Sequence, residues 1–202
     1  MNNWLVIVLA YLFGSIPFGV LVGKITGVNI RQVGSGNIGA TNMLRTVGKL
    51  PAIFVLIGDA LKGTFSVFIA KYLEMGELWV AAAGLAAIIG HLASIYLGLK
   101  GGKGVATGLG VFVAINPQVG IVSMLIWLSV AWLIRYSSLA AIVTFLFLPI
   151  VTMSLAPSLI MTCLALVVTT LIVIKHMDNI ARIIVGTETR IGNKRELQST
   201  IA

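Results

Sequence analysis

The 202-residue sequence has little charge, with Asp, Glu, Lys and Arg together only 10% of it, and acids are the scarcest of these, six against 14 Lys and Arg. Asp59, Glu74, Glu77, Asp178, Glu188 and Glu196 are scattered, and no two make a catalytic carboxylate dyad or a magnesium cage. The single cysteine, Cys163, excludes an internal disulfide and a cysteine metal cluster. Two histidines, His91 and His176, are present, and no Ser-His-Asp arrangement follows from spacing. No lysine or arginine precedes Lys24, so the N-terminus lacks the basic region of a cleavable signal peptide. There is no internal repeat and no low-complexity tail.

Apolar sequence is abundant. Hydrophobic residues make up 58% of the chain and the mean hydropathy is +1.06. Soluble domains are about half apolar and about a quarter charged, whereas apolar runs of about 20 residues read as membrane-spanning helices. The expectation is one all-α integral membrane domain over residues 1–202. The net charge of +8 calls for anionic partners, which lipid headgroups alone would satisfy.

Punctuation divides the runs into seven spans: residues 4–23, 50–72, 78–97, 105–115, 118–134, 138–154 and 158–174. Asn116-Pro117 breaks the long run after residue 104, because a proline disfavours helix at the residue before it. The fourth segment reaches only about 16 Å at 1.5 Å per residue, against about 30 Å of hydrocarbon. With seven crossings, every basic residue except Lys62 and Lys71 falls on one side, Lys194 and Arg195 of the tail included. The positive-inside bias makes that side the cytoplasm, with the N-terminus outside and the C-terminus inside.

Three polar stretches then share the cytoplasmic face: residues 31–49, 98–104 and 175–190. Each carries cations, glycines or amide and hydroxyl groups. Irregular backbone at membrane depth is tolerated only where it is buried in protein or lines a wet cavity. Arg45, Lys103, His176 and Arg182, with glycine N–H groups, would draw phosphate or another anion there. Thr41 or Asn42 suits a helix N-cap. The G-x-G-x-x-G match at 34–39 lacks the strand–turn–helix setting of a dinucleotide site. GGKG at 101–104 is not a phosphate loop of the nucleotidase kind, with Leu97 at the first glycine position and Gly104 at the Ser/Thr position. Asp59 and Lys62 lie on one helical face within a span and are expected to pair. His91, near the cytoplasmic end of the third span, suits packing, hydrogen bonding or chemistry. Trp4, Trp79, Trp127 and Trp132 read as interface anchors.

GSGNIGATNMLR at 34–45, GHLASIYLGLKGGKGVAT at 90–107 and KHMDNIARIIVGTETR at 175–190 resemble the three cytoplasmic motifs of the PlsY family, bacterial acyl-phosphate:glycerol-3-phosphate acyltransferases. The resemblance covers the whole chain, in length, span layout and motif order. It implies transfer of a fatty acyl group from acyl-phosphate to the 1-position of glycerol-3-phosphate. The products would be lysophosphatidic acid and inorganic phosphate, in the first step of phospholipid synthesis. The implied setting is the bacterial cell membrane, with the active site facing the cytoplasm, functional coupling to the enzyme that makes acyl-phosphate, and no nucleic acid, cofactor or metal. The His-x4-Asp signature of the common glycerolipid acyltransferases is absent, since Tyr96 and Ala181 stand at the fifth position after the two histidines.

Carried over by motif, Ser35 and Arg45 are expected to be essential, with Gly36, Asn37, Thr41 and Asn42 beside them on substrate phosphate. Gly101, Gly102, Lys103 and Gly104 are expected to form the glycerol-3-phosphate site. His176, Asn179 and Arg182 complete it, and Glu188 braces it. The alternative from another class is a membrane transporter of an anionic phosphate ester, which would need broken helices at the midplane and access from both sides.

Overall fold

Proline, asparagine and serine set several of the observed boundaries. The computed structural model describes residues 2–192, and the tail residues Lys194 and Arg195 of the charge argument lie outside that range. The helices in chain order are α1 (Asn3–Gly14), α2 (Phe18–Ile25), α3 (Ala40–Thr46), α4 (Lys49–Tyr72), α5 (Glu77–Leu92), α6 (Val105–Ile115), α7 (Pro117–Ile134), α8 (Ser137–Leu155), α9 (Leu159–Lys175) and α10 (Met177–Ile184). A single residue, Asn116, separates α6 from α7. Its side chain accepts from the N–H groups of Gln118 and Val119 at 2.9 and 3.2 Å, while Pro117 occupies the first helical position, where a missing N–H costs nothing. Ser158 caps α9 in the same manner, accepting from Met161 N–H at 3.3 Å.

Most boundaries match the expected spans to within a few residues, with three corrections. The first span is interrupted at Ser15–Ile16–Pro17, where proline lacks the N–H that would continue the helix. The third ends at Leu92, and a 3₁₀ turn, Ile95–Leu97, follows. Short helices α3 and α10 lie within stretches read as irregular, and α3 is capped by Gly39, so Thr41 and Asn42 sit inside it. Among the described residues, five segments are long and apolar enough to cross a membrane, the first made of α1 and α2 together. A sixth is reached if α9 and α10, bent by 56°, count as one span. The remaining expected crossing, the fourth in order, is α6, with 11 residues.

Helix α4 is the hub, touching α1, α2, α3, α5 and α6. Glycines allow its closest approach: a Cβ on Gly63 would stand 2.3 Å from the Thr107 carbonyl oxygen, and one on Gly110 2.2 Å from that of Ala60. Thus α6 lies along the second half of α4. There Thr64 Oγ1 donates to Gly110 O at 3.0 Å, and Lys71 Nζ donates to Ala114 O and Ile115 O at 2.8 Å each. The lysine satisfies carbonyls that every helix C-terminus leaves open. Helix α1 runs parallel to α5, with the Trp4 and Trp79 rings edge to face at 5.1 Å and Gly14 against the Ala87 backbone. Trp4 and Trp132 are exposed, as anchors should be, but Trp127 lies mid-helix in α7 with a buried Nε1.

Candidate active site

The first and third motifs meet at the start of α8, a segment the sequence reading did not single out. Thr41 Oγ1 of α3 lies 2.9 Å from Ser137 Oγ, and Ser138 Oγ donates to Glu188 Oε1 at 2.6 Å. Arg45, in the last turn of α3, donates through Nη2 to the Thr189 carbonyl at 2.7 Å. The chain after α10 runs back along this edge, where Ile191 N–H donates to Arg135 O at 2.6 Å.

Glu188 organises the third motif. Besides Ser138, its Oε1 accepts from Asn179 Nδ2 at 2.7 Å, and its Oε2 accepts from Arg182 Nε at 2.8 Å. Because Asn179 spends its amide N–H on Glu188, its Oδ1 is turned to the other side. There it accepts from Lys103 Nζ, which joins the second motif to the third. Glu188 is 8% exposed, and burial alone would raise its pKa. The bonds from Ser138, Asn179 and Arg182 outweigh burial and leave it below the ordinary carboxylate value. Lys103 is pushed down to about 8 by burial, then by the like charge of Arg182, against the attraction of Glu188 and Asp178, with Arg45 adding further repulsion.

His176 does not enter the site as a cation. Burial, opposed by its bond to Ile172 and reinforced by Lys103, lowers its pKa to about 4. Its Nδ1 lies 2.8 Å from the Ile172 carbonyl, an acceptor only, so the proton sits on Nδ1.

The glycines differ from expectation too. Gly101 N–H donates to Leu92 O at 3.2 Å and Gly102 N–H to His91 O at 3.0 Å, so both are committed to the end of α5. A Cβ on Gly101 would lie 1.9 Å from the His91 carbonyl oxygen, and one on Gly102 2.3 Å from His91 Nε2. These glycines permit close seating rather than supply phosphate donors. Gly104 has φ of 83°, the left-handed region that favours glycine, and begins α6 directly after Lys103.

In the first motif, Asn42 is 1% exposed and holds the loop from within. Its Oδ1 accepts from Ser35 N–H at 3.0 Å, and its Nδ2 donates to the carbonyls of Ile30, Val33 and Asn37 at 2.9–3.2 Å. This commitment corrects its assignment to substrate phosphate. Ser35 is exposed, with Gly36 and Asn37 beside it, and the structure shows no hydrogen bond from its side chain to Lys103 or to the third motif. Arg31 does reach the second motif, donating to Lys100 O at 2.6 Å. Arg31, Ser137, Ser138 and Thr189 were not among the expected site residues. The hydroxyl pair at the start of the sixth span was the one available signal.

A family profile described as glycerol-3-phosphate acyltransferase matches residues 4–186. The chain belongs to the glycerol-3-phosphate acyltransferase family. A relative from Mesorhizobium japonicum named glycerol-3-phosphate acyltransferase is 47% identical over 193 residues, covering 94% of this chain and 96% of the relative. Another of that name, from Geotalea daltonii, is 45% identical over 189 residues, with 93% and 97% covered. Two crystal structures of PlsY, an integral membrane glycerol 3-phosphate acyltransferase, share this fold. Its glycerol 3-phosphate form superposes with a TM-score of 0.91 at 38% identity, covering 95% of this chain and 96% of that one. The lysophosphatidic acid form gives 0.89 at 36% identity, with 98% and 100% covered. In this acyltransferase the PlsY resemblance of the three motifs therefore extends to the whole fold.

Proposed function

We propose that this chain transfers a fatty acyl group from acyl-phosphate to the 1-hydroxyl of glycerol-3-phosphate, releasing lysophosphatidic acid and inorganic phosphate. The observation that carries this reading is the gathering of Arg45, Lys103, Asn179 and Arg182 about one committed carboxylate, Glu188. Two phosphate-bearing substrates need such cations. Acyl-phosphate brings its own leaving group, so no enzyme nucleophile and no cofactor is required.

Lys103 and the first N–H groups of α6 hold the phosphate of glycerol-3-phosphate, since a helix N-terminus favours an anion. Arg182, which binds Glu188 through Nε, offers its terminal nitrogens to the same anion. Arg45, Ser35 and the loop at 36–37 receive the acyl-phosphate end. The 1-hydroxyl oxygen attacks the acyl carbonyl carbon, the carbon–oxygen bond to phosphate breaks, and the hydroxyl proton leaves with a substrate phosphate. Neutral His176 fixes the end of α9 through its bond to Ile172, which leaves Nε2 as an acceptor. The protein contributes positioning and electrostatic stabilisation.

The membrane arrangement belongs to the same proposal: seven crossings, N-terminus outside, and the site at the cytoplasmic boundary of the bacterial cell membrane. Acyl-phosphate is delivered there by the enzyme that makes it. Lys71 supports α6 as a crossing by closing the Ala114 and Ile115 carbonyls, which bilayer hydrocarbon could not satisfy, and Thr64 adds a bond to Gly110 O along the shared face. The polar cluster lies where the ends of α3, α5 and α9 meet the start of α8, and such a one-ended site disfavours the transporter reading. The test is turnover by purified protein supplied with acyl-phosphate and glycerol-3-phosphate, following phosphate and lysophosphatidic acid. Turnover with acyl-CoA alone would overturn the donor assignment, and activity lost on chelation and restored by magnesium would overturn the metal-free mechanism.

A further inference from the structure

Three ionisable side chains outside the polar cluster are buried together within the helices. Asp59 Oδ1 lies 2.9 Å from Lys62 Nζ and 3.4 Å from His91 Nδ1, and the three side chains are only 1–5% exposed. Lys62 is among the largest fully buried side chains of the protein. Charges inside a span are costly unless they pair, and an apolar trio would stabilise the helices at least as well. Their retention calls for another purpose, which their neighbours supply.

Lys62 Nζ also donates to Ile16 O at 3.0 Å, in the interruption between α1 and α2. Ser94 Oγ, just past the end of α5, donates to Ser15 O at 2.6 Å on the same interruption. Helix α2 leaves from that point to carry the first motif, and a Cβ on its Gly19 would stand 1.7 Å from Ile38 O. His91, at the start of the second motif, faces that motif's glycine turn: its carbonyl accepts the Gly102 N–H, and its Nε2 lies 2.3 Å from where a Gly102 Cβ would be. Asp59 thus joins, through two partners, the base of the first-motif helix and the seat of the glycine turn.

We propose that Asp59, Lys62 and His91 are positioning residues for substrate. His91 is the seat on which Gly102 rests, and Asp59, held by Lys62, fixes that seat at the depth that aims Lys103 at phosphate. The inference rests on the reading of Lys103 as a ligand of glycerol-3-phosphate.

Two variants separate positioning from stability. His91→Asn keeps a donor near the Nδ1 position for Asp59 but removes the ring edge beneath Gly102. Asp59→Asn combined with Lys62→Met removes both charges without leaving either one buried alone. Each should raise KM for glycerol-3-phosphate by about tenfold or more, leave KM for the acyl donor within about twofold, and keep the thermal midpoint of the detergent-solubilised protein. Hydrogen exchange of residues 99–104, measured without substrate, should quicken in both variants while α7 and α8 stay unchanged. Gly102→Ala should be milder in the His91→Asn background than alone. Wild-type KM and wild-type exchange in His91→Asn would overturn the inference, as would losses in every kinetic constant that merely follow the thermal midpoint. If the wild type fails to acylate glycerol-3-phosphate, the functional reading falls, while the exchange measurement still decides whether the trio holds the turn.

Discussion

Raising the pH should weaken glycerol-3-phosphate capture through Lys103 before any other group of the cluster responds. Burial and the neighbouring Arg182 bring its pKa to about 8. At that value about nine-tenths of the free protein carries the charge at pH 7 and about one-tenth at pH 9. A phosphate monoester loses its second proton near pH 6, so the substrate remains a dianion throughout. His176, at about 4, is neutral over the same window, and Glu188, held below its ordinary value, is ionised. If only protonated Lys103 binds the dianion, kcat/KM for glycerol-3-phosphate falls about tenfold between pH 7 and 9, since that ratio reports the free enzyme. At saturation the bound dianion holds the proton on Lys103, so the fall in kcat should begin at higher pH. Initial rates of lysophosphatidic acid formation, corrected for spontaneous acyl-phosphate hydrolysis, give both profiles. Arginine remains charged over this range, so Lys103→Arg should lower the rate overall but flatten the limb. A level wild-type profile, or an unaltered limb in Lys103→Arg, would refute the assignment.

Arg45→Lys keeps a charge but loses the planar fork that serves Thr189 O. Losing one charge-assisted bond costs about 1.5–3 kcal/mol, so turnover should drop about 10- to 150-fold, and near-normal turnover would remove Arg45 from the site. Glu188→Gln sets an amide N–H2 against Arg182 or Asn179, and should cost about 1–2 kcal/mol, the partly exposed Arg182 side keeping it low. Because the folded pKa of Glu188 is depressed, its contribution is complete above the ordinary value of 4.5 and is lost as pH falls through the folded value. The stability gap between wild type and Glu188→Gln, read from thermal midpoints, should close in acid and stay constant from pH 6 to 8. Gly101→Ala places a Cβ on a backbone oxygen that cannot yield, and folded yield should collapse. In a Cys163→Ala background, an impermeant thiol reagent added to intact cells should label Glu77→Cys and spare Lys24→Cys, both exposed positions. The reverse pattern would invert the proposed orientation.

The long helices were legible because their signal is local: apolar runs closed by Asn116-Pro117 and Pro157. The interruption at Ser15–Ile16–Pro17 was not, because its exposed carbonyls are answered by Lys62 and Ser94 from distant helices. The motif residues Arg45, Lys103, Asn179, Arg182 and Glu188 come together in the structure, but their division of labour was not legible. Asn42 is a polar residue in a glycine-rich stretch, which reads equally as ligand contact or internal brace, and only its partners at Ile30, Val33 and Asn37 decide. Gly101 and Gly102 likewise read as phosphate donors until the end of α5 is seen to take their N–H groups. Ser138 shows in the sequence only as half of a hydroxyl pair, since its role comes from Glu188, 50 residues further along the chain.

The short helix α6 also constrains how the protein is made. Its 11 residues are too few to hold a transmembrane position by hydrophobicity alone, and the open carbonyls of Ala114 and Ile115 at its end are closed by Lys71, which is synthesised earlier. With α6 crossing as proposed, insertion is expected to be sequential, with α4 already in the bilayer as a template when α6 emerges. The single-residue link at Asn116 means that α6 enters as one arm of a hairpin with α7. Moving residues 1–97 to a separately expressed fragment should accordingly prevent the C-terminal fragment from integrating α6 unless both fragments are made together, which glycosylation mapping across the Asn116 turn would reveal.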